Sequence, residues 1–157
     1  MTPAAASATT PSAAPQQNPL TLVMTIKSPE AAQQLIGLLT KFDQLPTSQN
    51  PINVALDNLK TVHFARFVFF ENNTKLAVIT TYDGSFDDYI NDFVNHIGDI
   101  FNALLAQMAD APPLPVQQNR EAFLAYVKAN DLKCFGTFYS AYPKASVMDI
   151  VSNLPAE

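Results

Sequence analysis

The sequence predicts an α+β protein in which four antiparallel strands form one sheet and two long helices cover one face of it. Three observations predict this class. Residues 20–27 alternate apolar and polar side chains, which is typical of a half-buried strand. Residues 61–82 contain two further strand-like runs joined by a short polar turn. A helical pattern of apolar side chains follows each of these features.

The first strand and helix are defined by alternation and by capping residues. In residues 20–27 the apolar positions Leu20, Leu22, Met24 and Ile26 share one side, and Thr21, Val23, Thr25 and Lys27 share the other. Ser28 is a favourable N-cap, and Pro29 suits the first helical position. The apolar pattern carries this helix to about residue 43. Residues 45–58 are predicted to be a loop with a short helical turn at 52–56.

The hairpin and the elements after it complete the predicted order. A two-residue type I′ turn at Asn72 and Asn73 would place His63 opposite Tyr82. Ser85 is predicted to cap a helix that reaches about residue 108. A shorter helix at 117–129, a last strand at 133–142 and a short helix at 146–152 follow. This order of elements is that of a ferredoxin-like βαββαβ sandwich.

Composition limits the domain organisation and the partners. The 157 residues predict a disordered Ala-, Pro-, Ser- and Thr-rich tail at 1–18 and a single domain at 19–157. The net charge of −5 disfavours nucleic acid as a partner. The sequence contains no uninterrupted run of about 18 apolar residues, so no membrane span is predicted. The single cysteine, Cys134, excludes an internal disulfide and fits a cytoplasmic protein.

Alternation also divides the hairpin into two faces. The helix-covered face is predicted to carry His63, Ala65, Phe67, Phe69, Leu76, Val78, Thr80 and Tyr82. The open face is predicted to carry Phe64, Arg66, Val68, Phe70, Lys75, Ala77, Ile79, Thr81 and Asp83, with Tyr139 from the last strand. So large an apolar patch is rare on a monomer. We therefore expect a homodimer that stacks its open faces about a two-fold axis, with space for a small ligand.

Three stretches carry a resemblance to a known group of proteins. With VHFARFVFF, TTYDGSFDDYINDF and FGTFYSAYPKASVMDI, residues 20–153 resemble small ferredoxin-like proteins of the dimeric α/β-barrel superfamily, in a poorly characterised bacterial branch. The superfamily includes haem peroxidases, haem-degrading and quinone-forming monooxygenases, and stress-response proteins. The resemblance therefore implies a fold and leaves the reaction open.

The polar residues of the hairpin and the long helix supply the candidate chemistry. Arg66, in mid-strand, is either a clamp for an anionic ligand or the partner of Asp83 or of a second subunit in an ion pair. His63 is favoured as a core-edge imidazole bonded to Tyr82 or to the backbone. His96 is a weak candidate for a haem ligand, against a solvated position on the flank of its helix. Cys134 is predicted to be a buried thiol.

The resulting hypothesis is a ferredoxin-like homodimer that binds a small acidic or aromatic ligand near Arg66. The predicted ligand residues are Arg66, Phe64, Thr25, Thr81, Tyr139 and His63, and no metal site is predicted. Two alternatives remain. One is an enzyme of the superfamily, either a haem-dependent peroxidase-type protein or a cofactor-free monooxygenase. The other is an accessory domain or subunit of an oxidative enzyme.

Overall fold

The computed structural model describes residues 17–156 as a three-stranded antiparallel sheet covered by helices on one face. The strands are β1 (Gln17–Thr25), β2 (Val62–Phe70) and β3 (Lys75–Asp83), and the helices are α1 (Pro29–Asp43), α2 (Pro51–Leu59), α3 (Phe86–Leu105), α4 (Arg120–Asn130) and α5 (Val147–Ser152). Strand order is β1-β3-β2. The α+β class is thus confirmed. Of the predicted tail, Gln17 and Asn18 begin β1, and the rest lies outside the described residues.

The predicted fourth strand is wrong, and with it the four-stranded ferredoxin-like sandwich. The segment predicted to form this strand meets β1 only at its start, where Leu132 N–H donates to the Thr21 carbonyl at 2.9 Å. The Asp131 carboxylate accepts the Thr21 N–H at 2.9 Å, which is the donor that a fourth strand would need. Beyond this point Gly136 has φ +73°, and residues 133–139 are exposed, with no strand assigned to them.

The helices begin at the capping residues that the sequence predicts. The side chains of Ser28 and Ser85 each accept the backbone N–H three residues ahead, both at 3.1 Å. Ser146 forms a capping box with Asp149, and these hydrogen bonds lower the pKa of the Asp149 carboxyl. Asn50, in the predicted loop, also acts as an N-cap, which extends the expected short turn into the nine-residue helix α2.

The core lies between the sheet and the helices. Leu22, Met24 and Leu76 are fully buried there, which confirms the predicted helix-covered face of β1 and β3. Aromatic rings continue the core along α3 into α4: Phe93 and Phe101 meet edge to face at 4.5 Å between ring centroids, and Phe101 lies 6.1 Å from Phe123 of α4. Elsewhere in this core, burial raises the pKa of Tyr89 to about 12, and its hydroxyl lies 3.1 Å from the hydroxyl of Thr80.

A β-bulge near the start of β2 changes the face of one histidine. The register opposes Arg66 to Ile79, as predicted, but Val62 to Tyr82. His63 is therefore the extra residue of the bulge, and its side chain turns to the open face, where it contacts Asp83. The prediction that His63 lies under the helices opposite Tyr82 is wrong, because a one-residue shift exchanges the faces of a strand.

Thr61 lies just before β2, and its hydroxyl is buried without a hydrogen-bond partner among the described residues. Its Oγ1 is the one fully buried side-chain polar atom of residues 17–156 that is unpaired. We expect Thr61→Val to raise the free energy of unfolding by about 1 kcal/mol, because valine keeps the shape and removes the unpaired hydroxyl. Urea denaturation measures the change. Thr25→Val is the control and should bring no gain, since Thr25 Oγ1 accepts from Lys75 Nζ at 2.8 Å. A loss of stability in Thr61→Val would contradict the prediction.

Candidate ligand-binding site

A groove with a volume of about 730 Å³ lies between the open face of the sheet and the C-terminal segment, residues 138–151. We call it the C-terminal groove. Its aromatic lining comprises Phe64, Phe138, Tyr139 and Tyr142. Val147, Ile150 and Val151 add an aliphatic wall, while His63 and Ser140 are among its polar groups. The groove is therefore mostly apolar with a few polar groups, as small-molecule sites usually are.

Two residues that face each other in the sheet hold the C-terminal segment in place. Gln17 and Asp83 are register partners at one end of β1 and β3. The Gln17 amide donates to the carbonyls of Tyr142 at 2.9 Å and Ala145 at 2.8 Å, and its oxygen accepts from the Ser140 hydroxyl at 2.7 Å. Asp83 Oδ2 accepts the backbone N–H of Val147 at 2.7 Å. These bonds connect the sheet to the start of α5.

His63 and Asp83 form a buried pair at the groove. Nε2 of His63 lies 2.6 Å from Asp83 Oδ1, and the two side chains are 5% and 6% exposed. An ionised carboxylate only accepts hydrogen bonds, so Nε2 carries the proton. In the neutral imidazole the other nitrogen, Nδ1, is then an acceptor. The bond to Asp83 fixes both the orientation and the tautomer of the ring.

The groove brings together four of the six predicted ligand residues: Phe64, Thr81, Tyr139 and His63. Arg66 and Thr25 do not line it. Thr25 lies at the opposite end of β1 from Gln17, about 25 Å along the strand.

Arg66 is exposed in the middle of β2 and makes no ion pair or side-chain hydrogen bond within residues 17–156. The predicted ion pair of Arg66 with Asp83 is wrong, because His63 and the Val147 N–H occupy the carboxylate of Asp83. Arg66 therefore remains a candidate for binding an anion or a second subunit.

The other candidate residues lie outside the groove. His96 is exposed on α3, where its Nδ1 contacts the Asp92 carbonyl oxygen of its own helix at 2.8 Å. Cys134 is exposed, contrary to the predicted buried thiol, because its segment does not join the sheet. Between Gln17 and Ala156, no group of three or more histidine, cysteine or acidic residues could hold a metal ion.

A second hollow, of about 360 Å³, lies between α1, α2 and β2. Its only titratable lining residue is Asp43, and the Asn50 side chain beside it is engaged in capping α2. A site with one acid and no oriented base offers less chemistry than the C-terminal groove, where a histidine is fixed by a carboxylate. We therefore take the C-terminal groove as the candidate site.

Sequence reasoning missed the residues that build this groove. Gln17 fell within the predicted tail, and Ser140 and Val147 carried no local sign of their contacts. The capping pattern at Ser146 predicts where α5 begins, but no local pattern indicates where it docks. The polar pair His63 and Asp83 was the available signal, since two such groups near a strand end often pair.

No family model, curated protein or solved structure matches this chain. The resemblance to dimeric α/β-barrel proteins therefore stays a prediction. In the described part of the chain, no helix has both the length and the apolar character that crossing a bilayer requires.

Proposed function

We propose that this protein binds a small aromatic ligand in the C-terminal groove and homodimerises through its open sheet face. The single observation that carries the ligand proposal is the groove itself, an aromatic-lined space of about 730 Å³ beside an oriented histidine. Its volume lies within the range of about 300–1,000 Å³ typical of small-molecule sites. The free thiol of Cys134 fits the cytoplasmic location that we retain in this proposal.

The exposure of the aromatic lining supports an aromatic occupant. Phe64 is 76%, Tyr139 83% and Tyr142 68% exposed, although all three line one groove. A planar ligand among these rings would bury apolar surface and gain stacking or edge-to-face contacts. Arg66 lies on the same face as Phe64 and about 7 Å further along β2. It is within reach of a carboxylate that projects from the groove, which retains the acidic ligand as an option.

The rival hypothesis of a haem enzyme gains less support from the same geometry. Its candidate axial ligand, His96, lies on the exposed side of α3 and outside the lining of the groove. His63 does line the groove, but its Nε2 is bound to Asp83. The arrangement favours a binding site for an organic ligand over a haem pocket.

Ligand-observed NMR of the full chain with p-cresol and benzoate tests the proposal. We expect saturation transfer to p-cresol, and we expect Tyr139→Ala to weaken binding about fivefold to tenfold through the loss of one aromatic contact. Phe135→Ala is the matched control: Phe135 lies in the same exposed stretch of chain, is 103% exposed and does not line the groove. If neither p-cresol nor benzoate binds, the proposal is contradicted. Equal effects of the two variants would place the ligand elsewhere.

A further inference from the structure

We infer that the ligand of the C-terminal groove is an aromatic alcohol, a phenol, whose hydroxyl donates a hydrogen bond to Nδ1 of His63. This inference rests on the proposed function and specifies the ligand class. It follows from Nδ1 of His63, which the fold orients and which has no hydrogen-bond partner within residues 17–156.

The fold leaves Asp83 no alternative arrangement. Its Oδ1 is 2.6 Å from Nε2 of His63, and its Oδ2 accepts the Val147 N–H at 2.7 Å. Rotation of the carboxylate would break both contacts at a buried site. In the neutral imidazole Nε2 therefore carries the proton, which leaves Nδ1 as a preoriented acceptor.

His63 lines the groove, and its Nδ1 is not fully enclosed by the described residues, which supply no donor to it. Within residues 17–156, Nδ1 has no hydrogen-bond partner. It still touches solvent, because the one unpaired side-chain polar atom that is fully buried among these residues is Thr61 Oγ1. Two polar neighbours in the lining are already engaged: Ser140 and Gln17 bond to each other and to the C-terminal backbone. A donor for Nδ1 must therefore come from solvent or from the ligand.

An acceptor in an apolar groove discriminates between ligands of the same shape. A hydroxyl that donates to Nδ1 replaces the water that binding removes, whereas an ether of similar size leaves Nδ1 desolvated and unpaired. Asp57, exposed on the same lining, also favours a neutral donor over an anion inside the groove. Together these groups select a neutral aromatic hydroxyl.

The test compares p-cresol with 4-methylanisole, which has the same ring and a methylated oxygen. At pH 8 with the full chain, we expect p-cresol to bind at least about tenfold more tightly. In His63→Phe, which removes the acceptor and keeps a ring, we expect the two affinities to agree within about twofold. Equal affinities for the wild type would overturn the phenol inference and leave the groove proposal intact. Binding of neither ligand would defeat both.

A second measurement does not depend on the folding of a variant. In ¹⁵N-labelled wild-type protein, p-cresol should shift the Nδ1 resonance of His63, and 4-methylanisole should not produce that shift. The chain has two histidines, so the exposed His96 serves as the internal control and should not respond to either ligand. A cresol-dependent shift at His96 alone, or at neither histidine, would overturn the inference.

Discussion

Replacing Asp83 with alanine is expected to lower the free energy of unfolding by about 3–5 kcal/mol, because it removes two hydrogen bonds to a buried carboxylate and each such bond contributes about 1.5–3 kcal/mol. The substitution removes the acceptor for His63 and for the Val147 N–H together. Asp83 is 7% exposed, so water cannot easily replace it at either contact. Urea denaturation followed by circular dichroism measures the loss.

The same substitution should also release the C-terminal segment from the sheet. Asp83 contributes one of the anchors of this segment, and Gln17 supplies the others. We expect amide exchange to accelerate in residues 138–152 more than in α3, because the lost contact is local to that segment. Asp83→Asn should be intermediate, since an amide oxygen can still accept one of the two hydrogen bonds.

Asp87→Ala is the matched control for Asp83→Ala. Asp87 also pairs with a basic residue, Lys128, at 3.3 Å, but the two side chains are 63% and 55% exposed. An exposed pair of this kind contributes about 0–1 kcal/mol. If Asp83→Ala and Asp87→Ala lower the free energy of unfolding equally, the buried pair does not hold the C-terminal segment in place. Other contacts must then position the segment that lines the groove.

The sequence predicted the elements whose causes are local. The caps at Ser28, Ser85 and Ser146 lie within one turn of the backbone groups that they bind, so spacing alone located three helices. The alternation of β1 and β3 likewise predicted which side chains are buried. Most of the hairpin register was also correct, because Arg66 opposes Ile79 as expected.

The errors arose where one residue makes a contact distant in sequence. The bulge at His63 moved that side chain to the open face, and its pairing with Asp83 across the hairpin accompanies the shift. Asp131 satisfied the Thr21 N–H by its side chain and so removed the need for a fourth strand. Neither outcome has a periodic signal, because each depends on a single side chain.

The candidate site shows the same division. Phe64 and Thr81 were assigned correctly to one face because alternation determines faces. Tyr139 reaches the same groove for a different reason, since its segment crosses the end of the sheet instead of joining it. Arg66 was the central ligand residue of the hypothesis, yet it lies beyond the groove. The alternation of side chains along a strand predicts which face of the sheet a residue lies on, but it does not predict where on that face a ligand site lies.

Phe64→Ser is expected to weaken self-association of the protein by a factor of about 30 or more. Phe64 is 76% exposed on the open face, which also carries the half-buried Val68 and Ile79. With Tyr139 and Tyr142 it exposes on the order of 400 Å² of aromatic surface, comparable to the largest patch on a typical monomer. That is about half of what one subunit contributes to a standard interface, and the apolar sheet face can supply the rest.

Symmetry increases the expected effect. In a two-fold contact the same patch serves both subunits, so each substitution removes two side chains from the interface. A central aromatic residue commonly contributes 2 kcal/mol or more, equivalent to about 30-fold in affinity. Arg66 is two residues away on the same face and would repel its own copy unless an acid of the partner lies opposite. A dimer centred on Phe64 therefore requires a register that separates the two arginines.

Sedimentation equilibrium of the wild type and of two variants decides whether the open face binds a second copy. We expect a dimer at micromolar concentration for the wild type, and a shift towards monomer for Phe64→Ser. Leu45→Ser is the control: Leu45 is 39% exposed, lies between α1 and α2, and should leave the association constant unchanged. A monomeric wild type would contradict the dimer, and the exposed aromatic surface would then serve the ligand of the groove or a different protein, as the accessory-subunit hypothesis requires. Equal weakening by both serine variants would show that loss of exposed apolar area, and not this face, controls association.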